Sequence, residues 1–175
     1  KTAPAMNVPV DRLRFGVVGC NNYEAGYFTA YRRVAEENFD FVVHTGDYIY
    51  EGRDHGGRSD TAVRRHNADE IYTLVDYRNR YGLYKSDPDF IAAHASAPFI
   101  MSWDDHEVDN NQAGAIDENG TPPEVYLLRR AAAYQAYYET MPLRRAQWPQ
   151  GANLTLYRRL KFGNLIDMNV LDTRQ

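Results

Sequence analysis

Three short stretches of this sequence carry side chains that bind metal ions or move protons. Cys20 follows one apolar run, and Asp47 with Tyr50 follows a second, in the string GDYIY. The third stretch is the DDHE string at positions 104–107, in which three carboxylates accompany an imidazole. A carboxylate can bridge two cations, and such a pair can clamp a phosphoryl group and activate a water molecule. The residue types therefore predict a binuclear metal site.

These ligand types differ in the metals they prefer. The thiolate of Cys20 would favour iron or zinc, whereas hard carboxylates accept calcium or magnesium. Tyr50 could bind only as a phenolate, which requires a strong Lewis acid such as ferric iron. Taken singly, Cys20 could be a small buried apolar residue and Tyr50 a packed ring. The acids of the DDHE string repel one another, so they need either solvent or a cation, and they carry most of the signal.

The apolar runs before these residues predict the strands that position them. Residues 14–18, 39–45 and 98–103 are short and apolar, and residues 23–38 have helical periodicity. A strand–helix–strand order favours parallel strands, whose carboxyl ends meet at one edge of the sheet. We therefore expect an α/β fold in which the three ligand-bearing stretches lie together.

The rest of the chain predicts further helices, a long loop and a hairpin. Gly, Arg, Asp and His dominate residues 51–67, which predict the loop. The predicted helices are residues 68–84, residues 88–96 with Asp87 as the N-cap, and residues 122–140 with Thr121 as the cap. The hairpin is predicted to pair residues 154–160 with residues 165–171 about a turn at residues 162–164.

Composition excludes several classes of protein. The chain has 175 residues, 43% of them hydrophobic and 25% charged, which is typical of a globular domain with a core. A net charge of −4 does not favour nonspecific binding to nucleic acid or to an anionic membrane. The single cysteine excludes an internal disulfide framework. No signal peptide is evident, and no apolar run reaches the roughly 20 residues of a membrane helix.

Several strings resemble known phosphatases. HTGDYIYEG resembles the Gly-Asp-x-x-Tyr motif of purple acid phosphatases, which are metallophosphoesterases. LVDYRNRYGLYKSDPDFIAAHASAPFIMSWDDHEVDNN and VLDTRQ are similar to the PhoD-like alkaline phosphatase family, and the resemblance covers residues 14–175. It implies the N-terminal half of a four-layer α/β/β/α sandwich. It further implies hydrolysis of phosphate monoesters or diesters, secretion or a periplasmic location, and a requirement for iron (Fe3+) with calcium, other divalent metals being possible.

The resemblance also implies roles for individual residues. Cys20 and Tyr50 match ligands of ferric iron, and Asp47 matches the aspartate that bridges the metals. Asp105 matches a ligand of the second metal. His106 matches the catalytic histidine that contacts phosphate or protonates the leaving alkoxide.

Further candidates lie near these positions. Asn110 or Asn111 could take the amide-ligand role in place of Asp105. Arg65 lies between Arg64 and His66 in a basic stretch that could reach a substrate phosphate, because arginine binds phosphate through paired hydrogen bonds.

The resemblance predicts that the chain is a piece of a catalytic domain. Residues 1–13 are interpreted as a linker from an upstream β-rich domain, and residues 14–175 as the first part of the catalytic domain. The family's later ligands belong to a Gly-Asp-x-His motif, which this sequence lacks. We therefore expect the chain alone to have little or no activity.

Two other functions are compatible with the residues. A glycoside hydrolase could use Asp104 and Glu107 as its acid and base. A module that binds phosphate or cations without turnover could use the same acidic cluster. Metal removal separates the first alternative from a metallophosphatase, because a carboxylate-based glycosidase needs no metal.

Overall fold

Two sheets and four α-helices organise this computed structural model, which describes residues 2–52 and 62–175. The strands are β1 (Phe15–Val18), β2 (Phe41–His44), β3 (Phe99–Met101), β4 (Arg158–Phe162) and β5 (Ile166–Val170). The helices are α1 (Thr29–Glu36), α2 (Leu74–Tyr84), α3 (Pro88–Ser96) and α4 (Pro123–Thr140), with a short 3-10 helix at Arg145–Gln147. Residues 53–61 of the predicted loop lie outside the described residues.

The larger sheet is parallel and has the order β1-β2-β3. Phe15 pairs with Phe41 in one ladder, and Val42 pairs with Phe99 in the other. The predicted α/β class, with parallel strands joined by a crossover helix, is confirmed. The carboxyl ends of all three strands consequently lie at one edge, where the candidate metal ligands follow.

The two faces of β2 pack against different layers, as the two-residue period of a strand requires. Val42 and the helices form the larger core, in which α1 packs on α3 and α2 packs on α4. Phe41 belongs to a smaller cluster on the opposite face, where its ring stacks on that of Phe162 at 4.4 Å between centroids. The β4–β5 hairpin therefore covers the face of the sheet that the helices leave open.

Two helices begin later than their periodicity predicts. The helix predicted over residues 23–38 begins at Thr29, and in the preceding turn the side chain of Asn22 accepts the backbone N–H groups of Glu24 and Ala25. The helix predicted over residues 68–84 begins at Leu74, where Thr73 and Asp76 form a capping box. A side-chain cap therefore marks the start of α2, whereas Phe28, the N-cap of α1, makes no side-chain cap hydrogen bond.

Capping and turn predictions gave mixed results. Asp87 caps α3 as predicted, accepting two backbone N–H groups. Thr121 as the cap of α4 was wrong: Pro122 occupies the N-cap, and the backbone N–H of Thr121 donates to Asp117 Oδ1 at 2.8 Å. The hairpin forms about Gly163, but its strands are shorter than predicted.

Residues 2–13 contain no helix or strand. Part of this segment lies on the hairpin turn, because Val10 N donates to Asn164 Oδ1 at 3.2 Å and Asn164 N donates to Val8 O at 3.1 Å. Within the described ranges, no helix has both the length and the apolar character needed to cross a membrane.

Candidate metal centre

Asp47, Asp105 and His106 converge at the carboxyl edge of the parallel sheet. One ligand atom from each lies within 4.8 Å of the others, and all three residues are buried. Asp47 follows β2, and the other two follow β3, so the strand order places them next to one another. The structure thus brings together three of the residues that the sequence singled out.

The loops after β1 and β2 adopt unusual backbone conformations. Cys20 has a φ of 56° and Asp47 a φ of 53°, in the left-handed region that non-glycine residues rarely occupy. The two loops hold each other in place, since Cys20 N donates to Gly46 O at 3.1 Å and Asn21 N donates to Asp47 O at 2.8 Å. Strained residues of this kind cluster at functional sites.

Gly46 allows the loop of Asp47 to approach the loop of the DDHE string. Its φ is 122°, and a Cβ atom there would lie 2.3 Å from the backbone nitrogen of Asp104. A side chain at this position would therefore push the two loops apart.

Glu107 joins the same two loops through its buried carboxylate. It accepts the backbone N–H groups of Tyr48 at 2.5 Å, Asp104 at 2.7 Å and Asp47 at 3.1 Å. Burial raises the pKa of Glu107, and these N–H donors oppose that shift by stabilising the carboxylate. Because its side chain is enclosed and both oxygens are engaged, Glu107 is a structural residue, which removes one of the two carboxylates of the glycosidase alternative.

Cys20 and Tyr50 both contact the side chain of Asp47. The Tyr50 hydroxyl donates to Asp47 Oδ2 at 3.2 Å, and the thiol of Cys20 is hydrogen-bonded to the same carboxylate. Cys20 is exposed, so it is not a buried apolar residue. The Oδ1 atom of Asp47 is buried and has no hydrogen-bond partner among the described residues. Sulfur, phenol and carboxylate groups around a free buried oxygen fit a bound metal ion.

Ionisation of the Cys20 thiol and the Tyr50 hydroxyl would depend on a bound cation. Burial, followed by the nearby Asp47 carboxylate, raises the pKa of the Cys20 thiol and that of the Tyr50 hydroxyl. Neither group would ionise readily in this acidic setting by itself. The positive charge of a metal ion is what would convert them to thiolate and phenolate.

His106 is held by a carboxylate that the sequence reasoning missed. Glu51 Oε2 lies 2.7 Å from His106 Nδ1, and Glu51 Oε1 accepts the N–H of Asn110 at 2.7 Å. The ring of Tyr50 lies 4.2 Å from the His106 ring. Burial lowers the pKa of His106, but the hydrogen bond and charge of Glu51, with Asp47 and Asp105, outweigh it and raise the pKa to about 9. The position of Glu51 directly after Tyr50 was the available signal.

Each carboxylate oxygen of Asp105 accepts a hydrogen bond. Its Oδ2 atom accepts the backbone N–H of Asn111 at 2.6 Å, and its Oδ1 atom accepts from Arg174 Nη2 at 3.2 Å. Burial raises the pKa of Asp105, but the Asn111 N–H and the charge of His106 outweigh it and leave the pKa lowered. Arg174 was also missed, although it lies in the VLDTRQ string.

The lower-ranked candidates lie around this centre with other contacts. The side-chain amides of Asn110 and Asn111 donate to the carboxylate of Glu118 at 2.8 to 2.9 Å. Their metal-ligand role and the phosphate role of Arg65, which is exposed, stay predictions. Arg64 forms an ion pair with Asp87 at 2.7 Å and lies over the ring of Tyr23, so its contacts are structural.

Comparison with known proteins identifies the group to which this arrangement belongs. Residues 15–175 match the family described as PhoD-like phosphatase. The chain belongs to this family. It is 52% identical to alkaline phosphatase D of Bacillus subtilis (strain 168), over all of this chain and 30% of that protein. A solved structure of PhoD superposes with a TM-score of 0.95 at 51% identity, covering 99% of this chain and 34% of that one.

These similarities establish the fold of the chain and the share of each relative that it covers. The predicted family is confirmed, and the mixed α/β fold is that of part of the PhoD structure. The chain spans about a third of the length of either relative.

Proposed function

We propose that this chain supplies metal ligands and a proton donor to a hydrolase of phosphate monoesters or diesters. The observation that carries the proposal is the convergence of Asp47, Asp105 and His106, together with a buried oxygen of Asp47 that has no hydrogen-bond partner in the described part of the chain. Membership of the PhoD-like phosphatases supports the reaction class, and phosphate esters are the substrates this implies. The partial coverage of both relatives supports residues 14–175 as one part of a catalytic domain. Residues 1–13 are proposed as a linker because the family match begins only at residue 15.

Each proposed ligand has a chemical reason. Asp47 would bridge two ions, because its Oδ2 atom accepts from the Tyr50 hydroxyl while its Oδ1 atom is buried with no hydrogen-bond partner among the described residues. Cys20 and Tyr50 would hold ferric iron, and Asp105 would hold calcium through a hard carboxylate oxygen. When bound, the ions supply Lewis acidity toward the phosphoryl group and activate a water molecule.

His106 would give its proton to the leaving oxygen of the ester. Its Nδ1 atom lies 2.7 Å from Glu51 Oε2, and we assign the proton transfer to the other ring nitrogen, Nε2. The hydrogen bond and charge of Glu51 raise the pKa of His106 and so favour the protonated ring that a proton donor needs. Glu51 acts through His106 and is therefore a positioning residue.

The decisive experiment uses the intact protein. We expect hydrolysis of p-nitrophenyl phosphate or bis-p-nitrophenyl phosphate, loss of activity with a chelator, and recovery with iron and calcium. Asp47→Asn should lower both bound metal and turnover, the latter by about 100-fold or more. Asp167→Asn, at an exposed ion pair on β5, is the matched control.

Other results would redirect the proposal. Full activity after complete metal removal would overturn it. Phosphate binding without hydrolysis would favour the non-catalytic binding module. A secreted or periplasmic location is proposed from the family resemblance alone, and fractionation of cells that produce the intact protein tests it.

A further inference from the structure

Arg174 is held in place by a turn that follows β5. Asp172 Oδ1 accepts the indole N–H of Trp103 at 2.9 Å and the backbone N–H of Arg174 at 3.1 Å. The carbonyl oxygen of Arg174 accepts the N–H of Gly114 at 2.7 Å. Three regions far apart in sequence thus fix the backbone from which this arginine projects.

The guanidinium group of Arg174 lies against the candidate metal centre. Its Nε atom donates to Asp104 Oδ1 at 2.5 Å, and its Nη2 atom donates to Asp105 Oδ1 at 3.2 Å. Its Nη1 atom makes a long contact of 3.5 Å with Gln112 O. Of the five N–H donors of a guanidinium, the described residues engage three. The side chain is 28% exposed, so part of it is accessible to a ligand.

We infer that Arg174 binds a phosphoryl oxygen of the substrate and that Asp104 anchors it. The inference rests on the proposed phosphatase function. Asp104 is not one of the three convergent residues, so its bond to Nε can persist while Asp105 binds a cation. When Asp105 binds a cation, Nη2 can turn from its 3.2 Å contact with Asp105 toward a phosphoryl oxygen, and Nη1 makes only the 3.5 Å contact with Gln112 O. A planar guanidinium fork matches the oxygens of a phosphoryl group and pairs with them bidentately.

The alternative role for Arg174 is only to position Asp105. Asp105 is already oriented by the backbone N–H of Asn111 at 2.6 Å, a bond shorter than the one from Arg174. Arg174 makes its shorter hydrogen bond to Asp104, and this bond fixes the guanidinium group. Its contact with Asp105 is the longer of the two. These contacts therefore fix the guanidinium group of Arg174 in place, and they are not needed to orient Asp105 as a metal ligand.

The test uses Arg174→Ala and Arg174→Lys in the intact, metal-loaded enzyme, with inorganic phosphate as a competitive inhibitor. We expect the inhibition constant of phosphate to rise about 10- to 100-fold in Arg174→Ala, as loss of charge-assisted hydrogen bonds predicts. The inhibition constant of Arg174→Lys should lie between those of the wild type and Arg174→Ala. Asp104→Asn should also raise the inhibition constant. Arg159→Ala, at an exposed ion pair with Asp167, is the matched control.

Metal content and folding decide how each outcome is interpreted. An unchanged inhibition constant in Arg174→Ala, or a change that extra metal reverses, would overturn the inference. If Arg174→Ala fails to fold by circular dichroism, Arg174→Lys decides in its place. A wild-type protein that binds phosphate without hydrolysing esters would refute the proposed function, and loss of that binding in Arg174→Ala would still uphold this inference.

Discussion

The carboxylate of Glu107 accepts the backbone N–H of Asp47 at 3.1 Å, across 60 residues of sequence. The same carboxylate accepts the N–H of Asp104 at 2.7 Å, within its own loop. One buried acid therefore joins the loop after β2 to the loop after β3. The spacing of the candidate metal ligands depends on this junction, so the acid that looked catalytic in sequence serves instead to build the site.

Replacing Glu107 should destabilise the protein. Glu107→Gln turns one acceptor oxygen into an N–H₂ group that faces a backbone donor, so we expect a loss of about 1 to 3 kcal/mol in the free energy of unfolding. Glu36→Gln, at an exposed ion pair of α1, should change it by less than about 0.5 kcal/mol. Urea unfolding measures both variants. Equal stability of the two would refute the structural role.

Two glycine substitutions should have opposite effects. Gly46→Ala forces a side chain into a left-handed conformation and against the Asp104 backbone, so we expect a loss of stability of at least about 1 kcal/mol and weaker metal binding. Gly82→Ala lies in α2 with open space around its Cβ, and should stabilise the protein by about 0.5 to 1 kcal/mol. Thermal unfolding and metal titration compare them. Unchanged stability and metal binding in Gly46→Ala would show that the close approach of this loop to Asp104 is not required.

Tyr50→Phe should remove a spectroscopic signature. A phenolate bound to ferric iron absorbs visible light, so the iron-loaded protein should be coloured and the variant should lose the band. Tyr48→Phe is the matched control, because Tyr48 is buried two residues away and its hydroxyl lies 2.8 Å from His94 Nε2. Absorption spectra with parallel iron analysis make the measurement. A band that survives in Tyr50→Phe would remove this residue from the proposed ligands.

Glu51→Gln should affect substrates according to their leaving group. If Glu51 positions His106 as a proton donor, kcat/KM should fall about 10-fold or more for alkyl phosphates and much less for p-nitrophenyl phosphate. Glu24→Gln is the control, since Glu24 is another buried acid beside a histidine, 3.6 Å from His66 Nδ1. An equal loss for both kinds of substrate would indicate a structural role for Glu51.

Stability should fall in mild acid because of His94. Burial, and then the charge of Lys85, lowers the pKa of His94 to about 4, below its unfolded value of 6.5. The unfolded chain therefore takes up the proton first, and the stability present above pH 6.5 is lost as the pH falls toward 4. The contribution to the slope is at most about 1.4 kcal/mol per pH unit.

His94→Gln isolates this contribution. The stability difference between wild type and His94→Gln should shrink as the pH falls from 6.5 to 4.5, whatever its size at pH 7. Lys85, Tyr48 and His44, which face this ring or act on it, are unchanged in the variant. Urea unfolding at each pH provides the values, and a constant difference would contradict the lowered pKa.

Local sequence was sufficient for the placement of the main candidates. The apolar runs of β1, β2 and β3 end just before Cys20, Asp47 and the DDHE string, and parallel strands bring such ends to one edge. Helix starts were less predictable. Side-chain acceptors such as Asn22 and Thr73 cap particular turns, and periodicity alone does not register them.

The sequence by itself determined the fold class, the family and the chemical types of the candidate ligands. Only the tertiary structure decided which acid does what. Glu107 became a structural acceptor, Glu51 a partner of His106 and Arg174 a neighbour of Asp105 through contacts that span 55 to 69 residues of chain. Such roles depend on which donors meet each carboxylate in the folded protein. Residue type and spacing cannot specify these contacts, because the contacts form only when distant loops pack together.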